Sequence, residues 1–293
     1  MKKFKESELI INPDKSIYHL KLKPEDIADD IIIVGDPQRV EVISNYFDKI
    51  EFKNYNREFV THTGYLNNKR ISVIGTGIGT DNIDIVLNEL DAIVNIDLEN
   101  RVIKQEHKSL NIIRLGTSGA LQKDIPIDSI LMSTYGLGFD GLLNYYEDKN
   151  KVTENEITEA FIQHSNWAAE LSKPYIVKAS EVLEKRLGDN LLKGITATAP
   201  GFYGPQGRVL RLGLAYPELN EKIESFNFQN KRISNFEMET SALYGLGKML
   251  GHNTLTICAI IANRVNQEYS KDYKKTVKNM IELVLEKLTN NVC

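Results

Sequence analysis

The chain has 293 residues, of which 42% are hydrophobic and 26% charged, with a net charge of −4 and a pI near 5.8. That is the composition of an ordinary globular protein with enough chain for a real core. It provides no general attraction to nucleic acid or to an anionic membrane surface.

Only two cysteines occur, Cys258 and Cys293, too few for a disulfide framework. The N-terminus, M-K-K-F-K-E-S-E-L, lacks the apolar run of a signal peptide, and no segment approaches the length of a membrane span. A reduced, cytoplasmic setting is expected.

In chain order, the first β-branched run is Ile31–Val34, and G-D-P-Q-R (Gly35–Arg39) follows it. Ile71–Ile74 comes next, then G-T-G-I-G-T (Gly75–Thr80) and a helical pattern over Asp81–Asn95. Asn111–Leu115 reads as a strand inside I-I-R-L-G-T-S-G-A (Ile112–Ala120), and Ser129–Ser133 as another. Helical patterns cover Glu156–Leu171 and Thr240–Leu250. Thr254–Ile261 is a strand followed by A-N-R (Ala262–Arg264), and Ser270–Leu288 is a closing helix.

Several of the strands are nearly continuous apolar runs, as expected for strands buried on both faces. Strands alternating with helices predict an α/β domain with a mixed or largely parallel sheet. No Pro/Ser/Gly-rich linker or internal repeat divides the chain, so residues 1–293 are expected to form a single domain. Ligands in such sheets sit beyond the carboxyl ends of strands, and these strand ends carry Gly, Arg or a small hydroxyl residue.

Glycines at Gly75–Thr80 let backbone N–H groups approach an anion at a helix start, although a tight packing turn explains the same residues. Arg114 stands where a strand interior should be apolar. It calls for an anionic partner, either a bound phosphate or a glutamate of the protein. Glu237 and Glu239, in N-F-E-M-E-T, precede an apolar small-residue segment. Carboxylates there accept from vicinal hydroxyls of a sugar, or favour the first turn of a helix. A retaining-glycosidase acid pair is a third option, ranked lowest because the arginines call for an anionic reactant.

Taken as an ordered set, G-D-P-Q-R-V, N-R-E-F, G-T-G-I-G, R-L-G-T-S-G-A, G-F-Y-G-P-Q-G-R, N-F-E-M-E-T and A-N-R resemble the nucleoside phosphorylase family, and in it the uridine phosphorylases. The resemblance runs from Tyr18 to Arg264. It implies a central mixed β-sheet, distorted and barrel-like, flanked by helices. It implies a phosphate site of Gly35, Arg39, Arg114 and Thr117, with Arg57 reaching in from a neighbouring subunit. His19, paired with Tyr18 across the interface, would join Glu237, Met238 and Glu239 at the ribose. Thr117, Ser118, Gly119, Phe202, Gln206 and Arg208 would hold the base, and Arg39, Arg114, Glu239 and Arg264 would be catalytic.

A glutamine carboxamide suits uracil, since it accepts from N3–H while donating to a carbonyl. Purine-cleaving members resemble one another in an aspartate that here is replaced within Ala262-Asn263-Arg264, which favours a pyrimidine. The implied reaction is reversible phosphorolysis of uridine, with orthophosphate as co-substrate, no cofactor and no metal. The implied assembly is a homodimer or hexamer, with residues 1–25 contributing to the interface and no nucleic-acid or membrane partner.

A nucleosidase, a purine nucleoside phosphorylase and a non-catalytic nucleoside binder are the alternatives. The chain departs from the family at Gly204-Pro205, which inverts the usual order, and in a longer insert around Leu98–Lys108. Arg114→Ala is expected to abolish phosphorolysis with the fold intact.

Overall fold

A computed structural model describes residues 3–290; Cys293 lies outside them. The strands, in chain order, are Asp30–Val34 (β1), Lys49–Asn56 (β2), Phe59–Leu66 (β3), Lys69–Gly75 (β4), Ile96–Asp97 (β5), Val102–Ile103 (β6), Asn111–Ala120 (β7), Ile130–Gly138 (β8), Tyr175–Lys178 (β9), Leu192–Thr198 (β10), Asn227–Phe228 (β11), Lys231–Glu237 (β12), Asn253–Asn263 (β13) and Glu268–Tyr269 (β14). The helices are Gln38–Ser44 (α1), Thr80–Asn95 (α2), Lys149–Val152 (α3), Asn155–Ser165 (α4), Glu181–Leu187 (α5), Leu219–Ser225 (α6), Thr240–Met249 (α7) and Tyr273–Thr289 (α8).

One mixed sheet organises the chain. Its order runs β11-β12-β10-β8-β13-β7-β1-β4-β3-β2, and β12 also pairs with β7. That extra pairing closes β7, β13, β8, β10 and β12 into a barrel-like ring, from which β1, β4, β3 and β2 extend as a tail. β1 pairs parallel with both β4 and β7, and all five residues of D-I-I-I-V are buried. The edge strand β2 alternates exposed and half-buried residues, with Lys49, Glu51 and Lys53 outward. Charges there discourage pairing with another chain's edge.

Helices cover the sheet with the faces their periodicity dictates. In α2, Ile83, Val86, Leu87, Leu90, Ile93 and Val94 are buried at three- and four-residue spacing. α8 begins at Asp272, whose carboxylate accepts from Lys275 N at 3.3 Å. Among the described residues, no helix is long and apolar enough to cross a membrane.

Three sequence expectations need correction. The helix expected over Glu156–Leu171 stops at Ser165, because Asn166 turns left-handed at φ 47° and caps it. The strand expected at Asn111–Leu115 continues to Ala120, so R-L-G-T-S-G lies within β7 rather than after it. The strand expected at Ser129–Ser133 likewise runs from Ile130 on to Gly138 as β8. The insert around Leu98–Lys108 contains the small β5–β6 hairpin.

Candidate active site

The carboxyl ends of β1, β4, β12 and β13 and the second half of β7 border one cavity of about 720 Å³. That is the size of a site for a nucleoside-scale ligand. Gly35, Arg39, Arg114, Thr117, Ser118, Gly119, Phe202, Gln206, Arg208, Glu237, Met238, Glu239 and Arg264 all line it. The expected site residues therefore converge, apart from His19 and Arg57.

At one end stand Arg39 and Arg114. Arg114 is 5% exposed and projects from the middle of β7. Its partner residue Gly116 makes the space: a Cβ there would fall 2.1 Å from Arg114 Nη1. Arg114 Nη2 pairs with Glu239, Nη1 lies 3.2 Å from Glu237 Oε2, and Nη1 also reaches Cys258 Sγ at 3.6 Å. Burial by itself works against this charge, but Glu239 and Glu237 outweigh it and hold the guanidinium above its ordinary range. The Arg–Glu bridge considered as one alternative is thus present. Burial pushes the Cys258 thiol beneath it up to about 11.

Arg39 is different. It donates to Leu115 O at 3.2 Å and has no carboxylate within ion-pair distance among the described residues. Burial, with Arg114 close by, lowers its pKa despite the opposing effect of Asp36.

The two acids occupy the turn between β12 and α7. Glu239 accepts from Gly79 N at 2.8 Å, at the N-terminus of α2. The glycine turn at Gly75–Thr80 therefore holds an anion, and in this structure the anion is the protein's own carboxylate. Burial raises the Glu239 carboxyl, Arg114 opposes the rise and Glu237 adds to it. Glu237 is tied to its surroundings from several sides. Although it borders the cavity, its oxygens accept from Thr198 Oγ1 (2.7 Å), Glu239 N (2.9 Å) and Thr240 N (3.0 Å), besides facing Arg114. Its hydrogen-bonding capacity is largely committed to the protein; Glu239 is engaged as well, by Arg114, Gly79 N and Met238 N, so either acid meets a sugar by exchanging a contact within the protein.

At the other end, the turn after β10 supplies Phe202, Gln206 and Arg208. The Arg208 guanidinium lies 3.8 Å from the Phe202 ring centroid and donates to Gln206 Oε1 at 2.6 Å. One face of the Phe202 ring is thus covered by Arg208, while Gln206 Oε1 keeps a second lone pair. Arg264 donates to the Gln206 carbonyl and sits 5.9 Å from the Phe236 ring. Burial first, and Arg208 second, bring its pKa down to about 10, so it remains a cation near neutrality. Neither Arg208 nor Arg264 has a carboxylate within ion-pair distance among the described residues.

Asn263, in the A-N-R turn where an acid is absent, is held by the chain itself. Its Nδ2 donates to Gln122 O and Ile125 O, both at 2.9 Å, and its Oδ1 accepts from Val265 N and Asn266 N. The side chain builds the turn after β13, a turn that also lines the cavity. Arg264 is the residue of that turn whose charge faces the cavity.

Tyr18, His19 and Arg57 gather elsewhere. Arg57, exposed at the tip of the β2–β3 turn, donates to Tyr18 Oη at 3.1 Å and lies 5.2 Å from its ring centroid. His19 Nδ1 is 2.7 Å from Glu89 Oε1, and Glu89 also accepts from the backbone of His19 and Leu20. Tyr18 and Arg57 border a separate surface groove, and none of the three lines the cavity of the same chain.

Ile78, Phe236 and Tyr269 also line the cavity, and sequence reasoning missed them as contacts. Ile78 lies inside the quoted glycine turn and is 65% exposed, the signal of an apolar residue with nothing yet covering it. Remote from the cavity, Asp91, His107 and His252 bring ligand-type atoms within 4.8 Å of one another, although no sequence spacing suggests a metal site. Leu110 N donates to His252 Nδ1, which places the proton on Nε2, toward Asp91 at 3.3 Å. In that tautomer His252 offers no lone pair to an ion.

The sequence pattern of the phosphorylase superfamily matches residues 29–290. A uridine phosphorylase of Thermococcus kodakarensis is 32% identical over 266 residues, 88% of this chain and 81% of its own length. A DeoD-type purine nucleoside phosphorylase of Clostridium novyi is 28% identical over 271 residues, 92% of this chain and 97% of its own. Among solved structures, a Trypanosoma brucei nucleoside phosphorylase described as showing uridine phosphorylase activity superposes with a TM-score of 0.86. It is 31% identical, and the match covers 96% of this chain and 99% of that one.

Proposed function

The chain belongs to the phosphorylase superfamily, and we propose that it catalyses the reversible phosphorolysis of uridine to uracil and ribose 1-phosphate. Pentosyl transfer from a nucleoside to phosphate is the activity its relatives share; the choice of uridine rests on the cavity. The observation that carries it is the distribution of charge. Guanidiniums without carboxylate partners stand at both ends, Arg39 at one and Arg208 with Arg264 at the other, and Glu239 lies between them.

Orthophosphate fits the first end. Arg39 and Arg114 meet its charge, and Thr117 with Gly35 adds neutral donors beneath the sugar. Glu239 accepts from the ribose hydroxyls, and Met238 presents a soft apolar surface. Such positioning lowers the barrier by on the order of 7 kcal/mol or more. As the glycosidic bond lengthens, positive character grows on the sugar and negative charge on the departing base. Uracil carries that charge on O2 and O4. Gln206, Arg208 and Arg264 are donors already in place to meet it, which is preorganised electrostatic stabilisation. A purine leaving group needs a proton at N7 instead, whereas Gln206, Arg208 and Arg264 are placed to meet negative charge; Glu268 of β14 also lines the cavity, beside Asn263. The reaction as proposed draws on no cofactor.

The test is uracil release from uridine with and without phosphate, run beside inosine. Release should depend on phosphate, and uridine should react far faster than inosine. Phosphate-independent release identifies a hydrolytic nucleosidase, and comparable rates on inosine overturn the pyrimidine assignment. Arg264→Ala should lower uridine kcat/KM by about 10²–10³-fold, the usual worth of one charge-stabilising donor. A change under threefold removes Arg264 from the chemistry.

A further inference from the structure

We propose that Thr198 and Glu237 form a positioning relay that fixes the Arg114 guanidinium for phosphate, acting through hydrogen bonds and not by touching substrate. The inference rests on the proposed phosphate site. Thr198 ends β10 and is fully buried, outside the lining of the cavity. Its hydroxyl accepts from Ser241 N at 2.9 Å, which directs its single proton to Glu237 Oε1 at 2.7 Å. Glu237 is thereby held with Oε2 toward Arg114 Nη1 at 3.2 Å and toward Glu239 N at 2.9 Å.

The chain of contacts links β10, β12, α7 and β7. Glu239 is the other anion on Arg114, and a bound ribose would compete for it. When Glu239 turns to the sugar, Glu237 is what keeps the guanidinium from following it or rotating away. A carboxylate with one oxygen saturated by a hydroxyl and a backbone N–H cannot swing.

Thr198→Val removes the donated proton and keeps the side-chain shape. The phosphate KM should rise about tenfold, the worth of one hydrogen bond to a charged group, while the uridine KM stays within about twofold. Thr198→Ser should restore the phosphate KM. Tyr175→Phe is the comparison, since Tyr175 Oη joins Asp140 and Ser241 Oγ in the adjoining buried network without reaching Glu237. It should lower Tm and leave the phosphate KM unchanged.

If Thr198→Val lowers Tm but leaves the phosphate KM alone, the hydroxyl is structural and the relay is rejected. Should that variant fail to fold, Glu237→Gln carries the test, and an unchanged phosphate KM rejects the relay equally. Wild-type protein is assayed first. Phosphate-independent cleavage there overturns the phosphate site and the relay together, whereas a normal wild-type phosphate KM with unmoved variants overturns the relay alone.

Discussion

Arg114→Ala should reduce phosphorolysis by about 10³-fold or more and should also destabilise the protein, by about 3–5 kcal/mol. The first effect was legible in the sequence as a charged residue inside an apolar strand. The second corrects the expectation of an intact fold. Arg114 is the common counter-ion of Glu237 and Glu239, both under 5% exposed, and its removal leaves two buried carboxylates facing each other. Such a pair relaxes only by taking up a proton or opening to water, and both cost stability.

Urea unfolding and phosphate KM should be measured on the same preparations. Arg39→Ala separates the two effects, because Arg39 neutralises no carboxylate. It should raise the phosphate KM as strongly while leaving stability near that of the wild type. If Arg114→Ala binds phosphate normally, the guanidinium serves only as internal counter-ion and the phosphate site is misassigned.

The loops at strand ends were readable because glycine and arginine are conspicuous against apolar runs. β1, β4 and β13, and the helices α2, α7 and α8, follow hydrophobic period and sit close to where that period puts them. β10 and β12 escaped, and their composition explains why. Thr196, Thr198, Ser234 and Asn235 are polar residues buried inside strands, where apolar alternation gives no signal. Their hydroxyls and amides satisfy one another instead: Thr196 Oγ1 bonds Asn235 Oδ1, and Asn235 Nδ2 bonds Ser118 Oγ.

The same limit applies at the site. That E-M-E meets a cavity was legible from residue type. That Glu237 is consumed by Thr198 and by its own turn depends on two strands becoming parallel neighbours, Thr198 opposite Glu237. Asn263 shows the same limit. That no acid stands there was legible, but that a turn of the chain needs both ends of its amide was not.

Mixing an inactive Arg57→Ala variant with an inactive Arg39→Ala variant should restore activity once subunits exchange. We propose that Tyr18, His19 and Arg57 complete the cavity of a neighbouring subunit, and two observations support it. The three residues cluster together on the surface yet contribute nothing to their own chain's cavity. Arg57 is also exposed and has no carboxylate within ion-pair distance among the described residues, so its charge is available to an anion elsewhere. Glu89 of α2 pins His19 and Leu20, next to Tyr18, through two backbone N–H groups and the His19 ring, a costly arrangement for a segment with no task.

A two-fold interface exchanges the same elements in both directions. In a mixed dimer the body of the Arg57→Ala subunit keeps its own Arg39 and receives an intact Arg57, so one site is whole and the other lacks both arginines. Random pairing of equal amounts makes half the dimers mixed, so about a quarter of wild-type activity should return. Arg39→Ala is the better partner than Arg114→Ala because it leaves no buried carboxylates unpaired. If mass measurements show mixed dimers and activity stays absent, Arg57 serves its own chain or none, and the shared site is wrong.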